Sequence, residues 1–166
     1  MLTYTCFDTA WGVFALALSP RGVSGTILPV RSARRAEQLA RRRWPDASRR
    51  SSPPGDLQDQ IAAYFDGEPV DFDVPLDLSG QPDFRRSVLR ACARIAYGTT
   101  ATYGQLADEV GRPGAARAVG GAMAHNPIPL IVPCHRVLAA GGALGGFSAE
   151  GGLSVKTRML RLEGTL

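Results

Sequence analysis

Apolar and polar positions give the first half of the chain a strand-rich pattern. Residues 2–7, 13–18 and 22–30 are short runs of β-forming residues separated by turn-forming ones, and each run predicts a strand. Residues 32–44 repeat alanine and leucine at intervals of three and four, which predicts an amphipathic helix. Residues 56–65 predict a second helix, with the aspartate at its start as the N-cap. The first half is therefore expected to hold a small antiparallel sheet with helices.

A change of composition marks the end of that half. Residues 70–76 alternate between apolar and acidic side chains, which predicts an edge strand or an extended linker. Residues 79–82, with the sequence SGQP, then interrupt any regular element. We expect two lobes that meet here, an α/β lobe at residues 1–78 and a second domain at residues 79–166.

The second half has mainly helical spacing. Residues 83–95 place apolar side chains three and four apart, with Asp83 positioned to cap the helix. Shorter helices are predicted at residues 102–110 and 115–124, and the turn of glycine and proline between them completes the pattern of a helix-turn-helix. The fold class is therefore expected to be α+β, with a mostly α second lobe.

Positive charge is concentrated in the helical half. The net charge is +4, yet residues 1–78 carry nine basic and ten acidic groups, whereas residues 79–166 carry ten basic and five acidic groups. This asymmetry is a weak indication of a polyanionic partner such as nucleic acid. The arginine run at 41–43 lies in the acidic half, and we interpret it as the solvated face of an amphipathic helix.

Apolar stretches and cysteine spacing exclude several classes of protein. No apolar run reaches the roughly 18 residues that a membrane helix needs, and the amino terminus lacks the pattern of a secretory signal. The cysteines Cys6, Cys92 and Cys134 form no CxxC pair, which argues against a disulfide framework or structural zinc and favours the cytoplasm. Cys6 lies in a predicted strand and Cys92 on an apolar helical stripe, so both are interpreted as buried apolar residues.

Cys134 has a different sequence environment. The apolar run 128–132 predicts a buried strand, and Pro133 suits the first turn of a following helix. A helix N-terminus favours the thiolate form of a cysteine, and the adjacent His135 can accept its proton, directly or through a water. The same residues also fit a buried cysteine beside a histidine that only makes hydrogen bonds. The pentapeptide alone leaves both interpretations open.

One predicted helix has an unusual composition. Residues 115–124 are almost all small, and Arg117 is the one arginine among them. Small side chains serve either for tight packing inside a protein or for close approach of the helix to a groove. The isolated arginine favours contact with nucleic acid.

Six short motifs of the second half occur in a recognisable order: TYGQLA at 102–107, GAARAVG at 114–120, NPIP at 126–129, PCHRV at 133–137, GGL at 151–153 and LEG at 162–164. In this order they resemble the O6-alkylguanine-DNA alkyltransferases, also called methylated-DNA–protein-cysteine methyltransferases. The resemblance is dense over residues 83–166 and looser over the first half.

This resemblance implies a DNA repair protein whose first lobe is similar to ribonuclease H and whose second lobe carries the helix-turn-helix. Such a protein is expected to bind double-stranded DNA carrying alkylated guanine and to flip the nucleotide out through the minor groove. It would transfer the alkyl group of O6-alkylguanine, and of O4-alkylthymine, irreversibly to one cysteine. The resemblance implies no cofactor, no metal and no membrane partner, and a monomer in the cytoplasm.

The resemblance also assigns roles by position. Cys134 corresponds to the alkyl acceptor, His135 to the base that acts on it through a water, and Glu163 to the carboxylate that orients the histidine. Tyr103 corresponds to the tyrosine that helps to turn out the nucleotide and donates to the guanine. Asn126 corresponds to the asparagine that braces the turn before the active site.

Further residues are assigned to DNA and to the alkyl group. Arg117 corresponds to the arginine that fills the gap left in the base stack, and Arg136 is expected to form a supporting salt bridge. The other expected DNA contacts are small residues of the same helix: Ala116, Ala118, Gly120 and Gly121. The expected substrate pocket contains Met123, Val137, Phe147 and Ser148.

The sequence departs from the family pattern on the pocket loop. Phe147 replaces a common tyrosine, which keeps the aromatic face and loses the hydroxyl, and Ala149 and Glu150 lengthen the loop. Two alternatives remain at this stage. Family members that bind lesions without repair, or act as regulators, lack the cysteine, so Cys134 argues against that class. A cysteine hydrolase with a Cys-His-Glu set is the other alternative.

Overall fold

The computed structural model describes residues 1–147 and 151–166 and has a mixed α+β architecture. It divides into two compact units, Met1–Asp77 and Leu78–Leu166. The division falls one residue before the expected boundary. Within the described residues, no helix combines the length and the apolar character that crossing a membrane requires.

The first unit is built on a sheet of four strands in the order β3-β2-β1-β4. The long strands β1 (Thr3–Thr9), β2 (Gly12–Ser19) and β3 (Gly22–Val30) form the predicted antiparallel meander. The fourth strand, β4 (Ser48–Arg49), pairs with β1 in parallel. The predicted antiparallel sheet is therefore present with one short parallel strand added at its edge, which was not predicted because two residues leave no periodic signal.

One helix covers each face of this sheet. Helix α1 (Ala33–Arg43) packs on the face that carries the alanines of β2, and Ser32 caps it by accepting a hydrogen bond from the Arg35 amide. Helix α2 (Leu57–Phe65) packs on the face that carries Phe14. The alternation of side chains along β2 explains why both faces are apolar.

The structure sharpens two predictions in this unit. Asp56 is the N-cap residue of α2, as predicted, but its side chain makes no capping hydrogen bond, and its carboxylate accepts from the Gln60 side-chain amide at 3.2 Å. The segment 70–76 is extended, and only Leu76 makes a bridge, to Val23 of β3. The linker interpretation of this segment is therefore the better one.

The second unit is mostly helical. It contains α3 (Asp83–Ala93), α4 (Tyr103–Glu109), α5 (Ala116–Ala124) and α6 (Gly152–Leu162). The two-residue strands β5 (Ala101–Thr102) and β6 (Val137–Leu138) pair in parallel and place the chain after Cys134 beside the start of α4. The N-cap of α3 is Pro82, so the capping role predicted for Asp83 was wrong.

The run 128–132 is not the predicted strand. It is a buried turn in which the Val132 amide donates to the Ile128 carbonyl at 2.9 Å and Leu130 has a positive φ of 79°. Short apolar runs have the same pattern in a buried strand and in a buried turn. Contacts with residues outside the run, rather than the pattern of the run itself, determine that a turn forms here.

Candidate functional site

The first wall of the site comes from the start of α4. Thr102 and Gln105 form a capping box, in which the side-chain oxygen of each accepts a hydrogen bond from the backbone amide of the other, and this fixes where the helix begins. Tyr103 is the first residue of that helix. Its hydroxyl lies so close to Gly145 (φ +67°) that a Cβ there would be 2.6 Å from the oxygen. Glycine is therefore required at 145 to keep the tyrosine in this position.

Asn126 holds the turn that leads to the cysteine. Its amide nitrogen donates to the Val132 carbonyl at 2.9 Å, and its amide oxygen accepts from the Ile128 amide at 2.9 Å. The side chain thus ties both ends of the 128–132 turn. A hydrogen bond from Asn126 to Cys134 also lowers the pKa of the thiol. The sequence assigned Asn126 to this turn, and the contacts lie there.

Cys134 begins a 3-10 helix of only three residues, Cys134–Arg136. The side chain is buried, and burial raises the pKa of its thiol more than the hydrogen bond from Asn126, the nearby Lys156 charge and two backbone amides lower it. The backbone amides at the start of this short helix favour the thiolate, as predicted, but burial outweighs them. The cysteine rests as a thiol and needs a base to react.

His135, the next residue in the chain, is the base that the resemblance assigned. Its Nε2 lies 2.5 Å from Oε2 of Glu163, both side chains are fully buried, and a carboxylate can only accept, so Nε2 carries the hydrogen. The lone pair of the neutral ring is then on Nδ1, which is buried and has no hydrogen-bond partner among the described residues. Burial lowers the pKa of His135 although Glu163 raises it, so the ring is neutral near pH 7.

Arg136 balances the charge of the buried carboxylate. Its Nε donates to Glu163 Oε1 at 2.7 Å and its Nη2 to Oε2 at 3.3 Å, which makes the expected salt bridge. Its Nη1 donates to the Ile95 carbonyl at 2.6 Å, and the guanidinium stacks 5.6 Å from the centre of the Tyr97 ring. A buried carboxylate without such a partner would be strongly destabilising.

Lys156 is a site residue that the sequence reasoning missed. It is fully buried on α6, and its ammonium group donates to the carbonyls of Val137 (2.8 Å), Leu144 and Gly146 (3.4 Å). It therefore joins α6 to the strand after the cysteine and to the pocket loop. Burial lowers the pKa of Lys156, and the Cys134 thiolate would oppose this shift. Lysine at only this position, beside 18 arginines, was the signal in the sequence.

Cys134 opens into a pocket of about 460 Å³, called here the Cys134 pocket. The described residues that line it include the predicted Tyr103, Ala116, Arg117, Gly120, Met123, Cys134 and Phe147, and two that were not predicted, Ala124 and Gly146. Ala118 and Gly121 lie on another flank of α5, outside this lining. Val137 is fully buried and does not line it either. Ser148, Ala149 and Glu150 lie outside the described residues.

Packing against the residues that the structure describes does not explain the small residues on the exposed face of α5. A Cβ added to Gly120 or Gly121 would meet nothing within 4 Å, so internal packing does not require glycine at either position. Each glycine inside a helix costs about 0.5–1 kcal/mol relative to alanine. The helix therefore gives up stability for a smooth, open surface, which suits close approach of another molecule.

The remaining titratable groups do not suggest a metal centre. Among residues 1–147 and 151–166, no three histidine, cysteine or acidic side chains are arranged to hold a metal ion. The arrangement of thiol, neutral imidazole and carboxylate suits nucleophilic attack by the cysteine, with the histidine taking its proton.

Comparisons with known proteins agree with this geometry. The family model of the 6-O-methylguanine DNA methyltransferase DNA-binding domain matches residues 83–165. The methylated-DNA–protein-cysteine methyltransferase of Mycobacterium tuberculosis is 43% identical over 164 residues, which are 98% of this chain and 93% of that protein. The protein of the same name from Methanosarcina acetivorans is 49% identical over 106 residues, or 64% of this chain and 66% of that protein.

Solved structures confirm the α+β fold class. The crystal structure of Mycobacterium tuberculosis OGT in complex with DNA is 41% identical, with a TM-score of 0.79 over 97% of this chain and 92% of that one. The O6-methylguanine-DNA methyltransferase of Pyrococcus kodakaraensis is 29% identical, with a TM-score of 0.66 over 99% of both chains. With the family model covering half of the sequence and a relative above 40% identity covering nearly all of it, the chain belongs to the methylated-DNA–protein-cysteine methyltransferase family.

Proposed function

We propose that this protein repairs alkylated DNA directly, by moving the alkyl group from O6 of guanine to the sulfur of Cys134. The observation that carries the proposal is the buried Cys134 thiol in the lining of an open pocket, followed in the chain by His135, whose buried ring is bonded to Glu163. The family names and the DNA complex of the M. tuberculosis relative support it.

The reaction is a single displacement. His135 Nδ1 takes the thiol proton through a water, and Glu163 stabilises the imidazolium that forms. The sulfur attacks the alkyl carbon, so that a carbon–sulfur bond forms while the bond from that carbon to O6 breaks. Guanine leaves with the electron pair, and a hydrogen bond from the Tyr103 hydroxyl stabilises its developing negative charge. O4-alkylthymine presents the same chemistry.

Each protein molecule carries out a single alkyl transfer. The product is a thioether, which is a poor leaving group, so the protein does not regain its thiol. A monomer is sufficient for the reaction, since all the proposed groups belong to one chain. No cofactor is needed, because the substrate itself carries the group that is transferred. Cytoplasmic localisation stays a prediction from the sequence.

Double-stranded DNA docks on the exposed face of α5. The small residues of that face let the helix enter the narrow minor groove, and Arg117 fills the space of a nucleotide that flips into the Cys134 pocket. Arg117 lines that pocket and is exposed, as this role requires. Filling the stack offsets part of the few kcal/mol that flipping costs.

The decisive experiment is a mass measurement of the Cys134 peptide after mixing with duplex DNA that carries O6-methylguanine. We expect a gain of one methyl group per protein, with none in Cys134→Ala and full transfer in Cys6→Ser. Unmodified protein bound tightly to the lesion would instead indicate a non-catalytic lesion binder or regulator. Repeated turnover on an ester or amide would indicate a cysteine hydrolase.

A second measurement tests base flipping. Arg117→Ala should slow repair of duplex DNA more than reaction with free O6-benzylguanine, because the free base needs no flipping. An equal loss on both substrates would remove the stacking role from Arg117.

A further inference from the structure

Helix α5 has a second open flank that the proposed reaction does not use. The exposed residues of the helix form one stripe: Arg117, Ala118, Gly121, Ala124 and His125. On one side of this stripe lies the Cys134 pocket. On the other side lies a groove of about 290 Å³, called here the flank groove, which is lined by Pro82, Phe84, Arg85, Ala118, Gly121, Ala122 and His125.

The flank groove has a basic wall. Arg85, in the first turn of α3, is half-buried, and its Nη1 donates to the Gln81 side chain at 3.3 Å. This contact holds the guanidinium in place and leaves its other N–H groups without a hydrogen bond to the described residues. The Arg112 guanidinium adds a cation at the rim, 5.7 Å from the centre of the Phe84 ring. The nearby carboxylate of Asp83 is paired with Arg86 at 3.4 Å.

The opposite wall belongs to α5 itself. His125 follows the helix, and its Nδ1 donates to the Gly121 carbonyl at 2.8 Å, which fixes the ring at the end of the groove. Gly121 has open space where a Cβ would lie, so the floor is accessible. A fixed cation beside an open floor, continuous with the proposed DNA-binding face, is suited to an extended anionic chain.

The geometry of the DNA duplex indicates which of its two strands the flank groove faces. The minor groove is about 6 Å wide and is bordered by both sugar–phosphate backbones, so a helix inserted in it faces one backbone on each flank. The flank with Cys134 faces the strand that carries the lesion, because that strand supplies the flipped nucleotide. The other flank must then face the complementary strand.

We propose that the flank groove binds the backbone of the strand opposite the lesion, with the Arg85 guanidinium on a phosphate. This inference rests on the minor-groove docking of the proposed function. It assigns the two flanks of one helix to the two strands of the duplex. Arg85 positions the protein on DNA and takes no part in alkyl transfer.

The test combines variants of Arg85 with DNA in which single phosphates are replaced by uncharged methylphosphonates. Binding to a lesion-containing duplex is measured against salt concentration for Arg85→Gln and for Arg90→Gln, an exposed arginine of α3 outside the groove. We expect Arg85→Gln to lower the slope of log affinity against log salt by about 1. In Arg90→Gln the slope should stay the same, and Arg85→Lys should restore most of it.

Methylphosphonates placed at single positions of one strand then identify the strand. A methylphosphonate at one or two positions of the complementary strand should weaken binding of the unaltered protein. The same replacements should not weaken binding of Arg85→Gln any further. The inference would be overturned if Arg85→Gln lost sensitivity to methylphosphonates on the lesion strand instead. It would also be overturned if the slope of log affinity against log salt were normal in Arg85→Gln. Methyl transfer from the O6-methylguanine duplex to Cys134 is measured in parallel. If the unaltered protein gains no methyl group, the proposed function fails; if it does, only the strand assignment is at stake.

Discussion

Each unit of the molecule contains a carboxylate that accepts hydrogen bonds from arginine, and the two clusters differ in whether a cysteine bonds to the carboxylate directly. In the first unit, Glu37 accepts hydrogen bonds from Arg49 at 3.1 Å and from Tyr4, and the Cys6 sulfur donates to it directly at 3.8 Å. In the second unit, Glu163 is bonded to His135 and Arg136, and the histidine adjoins the reactive cysteine.

The position of the carboxylate relative to the thiol determines which cysteine can be activated. Burial and the adjacent Glu37 charge raise the pKa of Cys6 to about 11, because a carboxylate beside a thiol opposes formation of the thiolate. Glu163 acts on the imidazole instead, where its charge favours the protonated ring that follows proton transfer. The third cysteine, Cys92, is fully buried, and burial raises the pKa of its thiol well above the ordinary value. A carboxylate therefore assists a cysteine only through an intervening base.

Removal of that base should have the largest effect. We expect His135→Gln to slow alkyl transfer at neutral pH by a factor of about 10²–10⁴, because the buried thiol then has no proton acceptor. The rate of the variant should rise with pH as the thiol ionises unaided. Single-turnover rates measured across pH on duplex substrate check this, with Cys6→Ser as the control. A variant within threefold of the unaltered protein at pH 7 would exclude His135 as the base.

The two carboxylates give a matched pair of variants. Glu163→Gln should slow alkyl transfer by about 10–10², because the neutral amide stabilises the imidazolium less, while DNA affinity stays near normal. Glu37→Gln should leave the rate unchanged and lower the free energy of unfolding by about 1 kcal/mol. Rates from quenched reactions and affinities from fluorescence anisotropy separate the outcomes. Equal rates for both variants would remove Glu163 from the mechanism.

Lys156 has no equivalent in the Glu37 cluster, and its replacement tests the loop that it holds. Lys156→Met leaves backbone carbonyls without their donor, so we expect the free energy of unfolding to fall by about 2–3 kcal/mol. The thiol pKa of Cys134 should also rise, since the nearby cation lowers it. Thiolate absorbance followed across a pH series above pH 8, with Cys134→Ala as the baseline, reports the second effect, which loss of stability alone would not produce. Arg161→Met, at an exposed position of α6, is the control.

The smallest expected effect is a pH dependence of stability. The pKa of His135 is lowered by burial, so below the ordinary histidine pKa of about 6.5 the unfolded chain binds a proton that the folded chain excludes. Stability should therefore fall as pH decreases from there towards the lower folded pKa, and level off below it. Urea unfolding of the unaltered protein and His135→Gln at a series of pH values measures this. An equal dependence of the free energy of unfolding on pH in the two proteins would contradict this prediction.

Local patterns were sufficient for most of the architecture. The three long strands, the two helices of the first unit and the helix-turn-helix all follow from spacing and turn residues, because periodicity reports which side of an element is buried. The failures include the 128–132 turn and the capping role of Asp83. In the turn, Asn126 supplies the hydrogen bonds, and a residue outside the apolar run leaves no trace in its pattern.

The sequence by itself identified the main candidate residues: the motif around Cys134, its neighbouring histidine and the small-residue helix with Arg117. Only the tertiary structure decided how they act. Glu163 lies 28 residues from His135, and Lys156 lies 19 residues from the Val137 carbonyl that it binds. Ionisation depends on burial and on charges within a few ångströms. Folding sets both of these, which is why the thiol that the sequence suggested would be ionised is held protonated beside a neutral base.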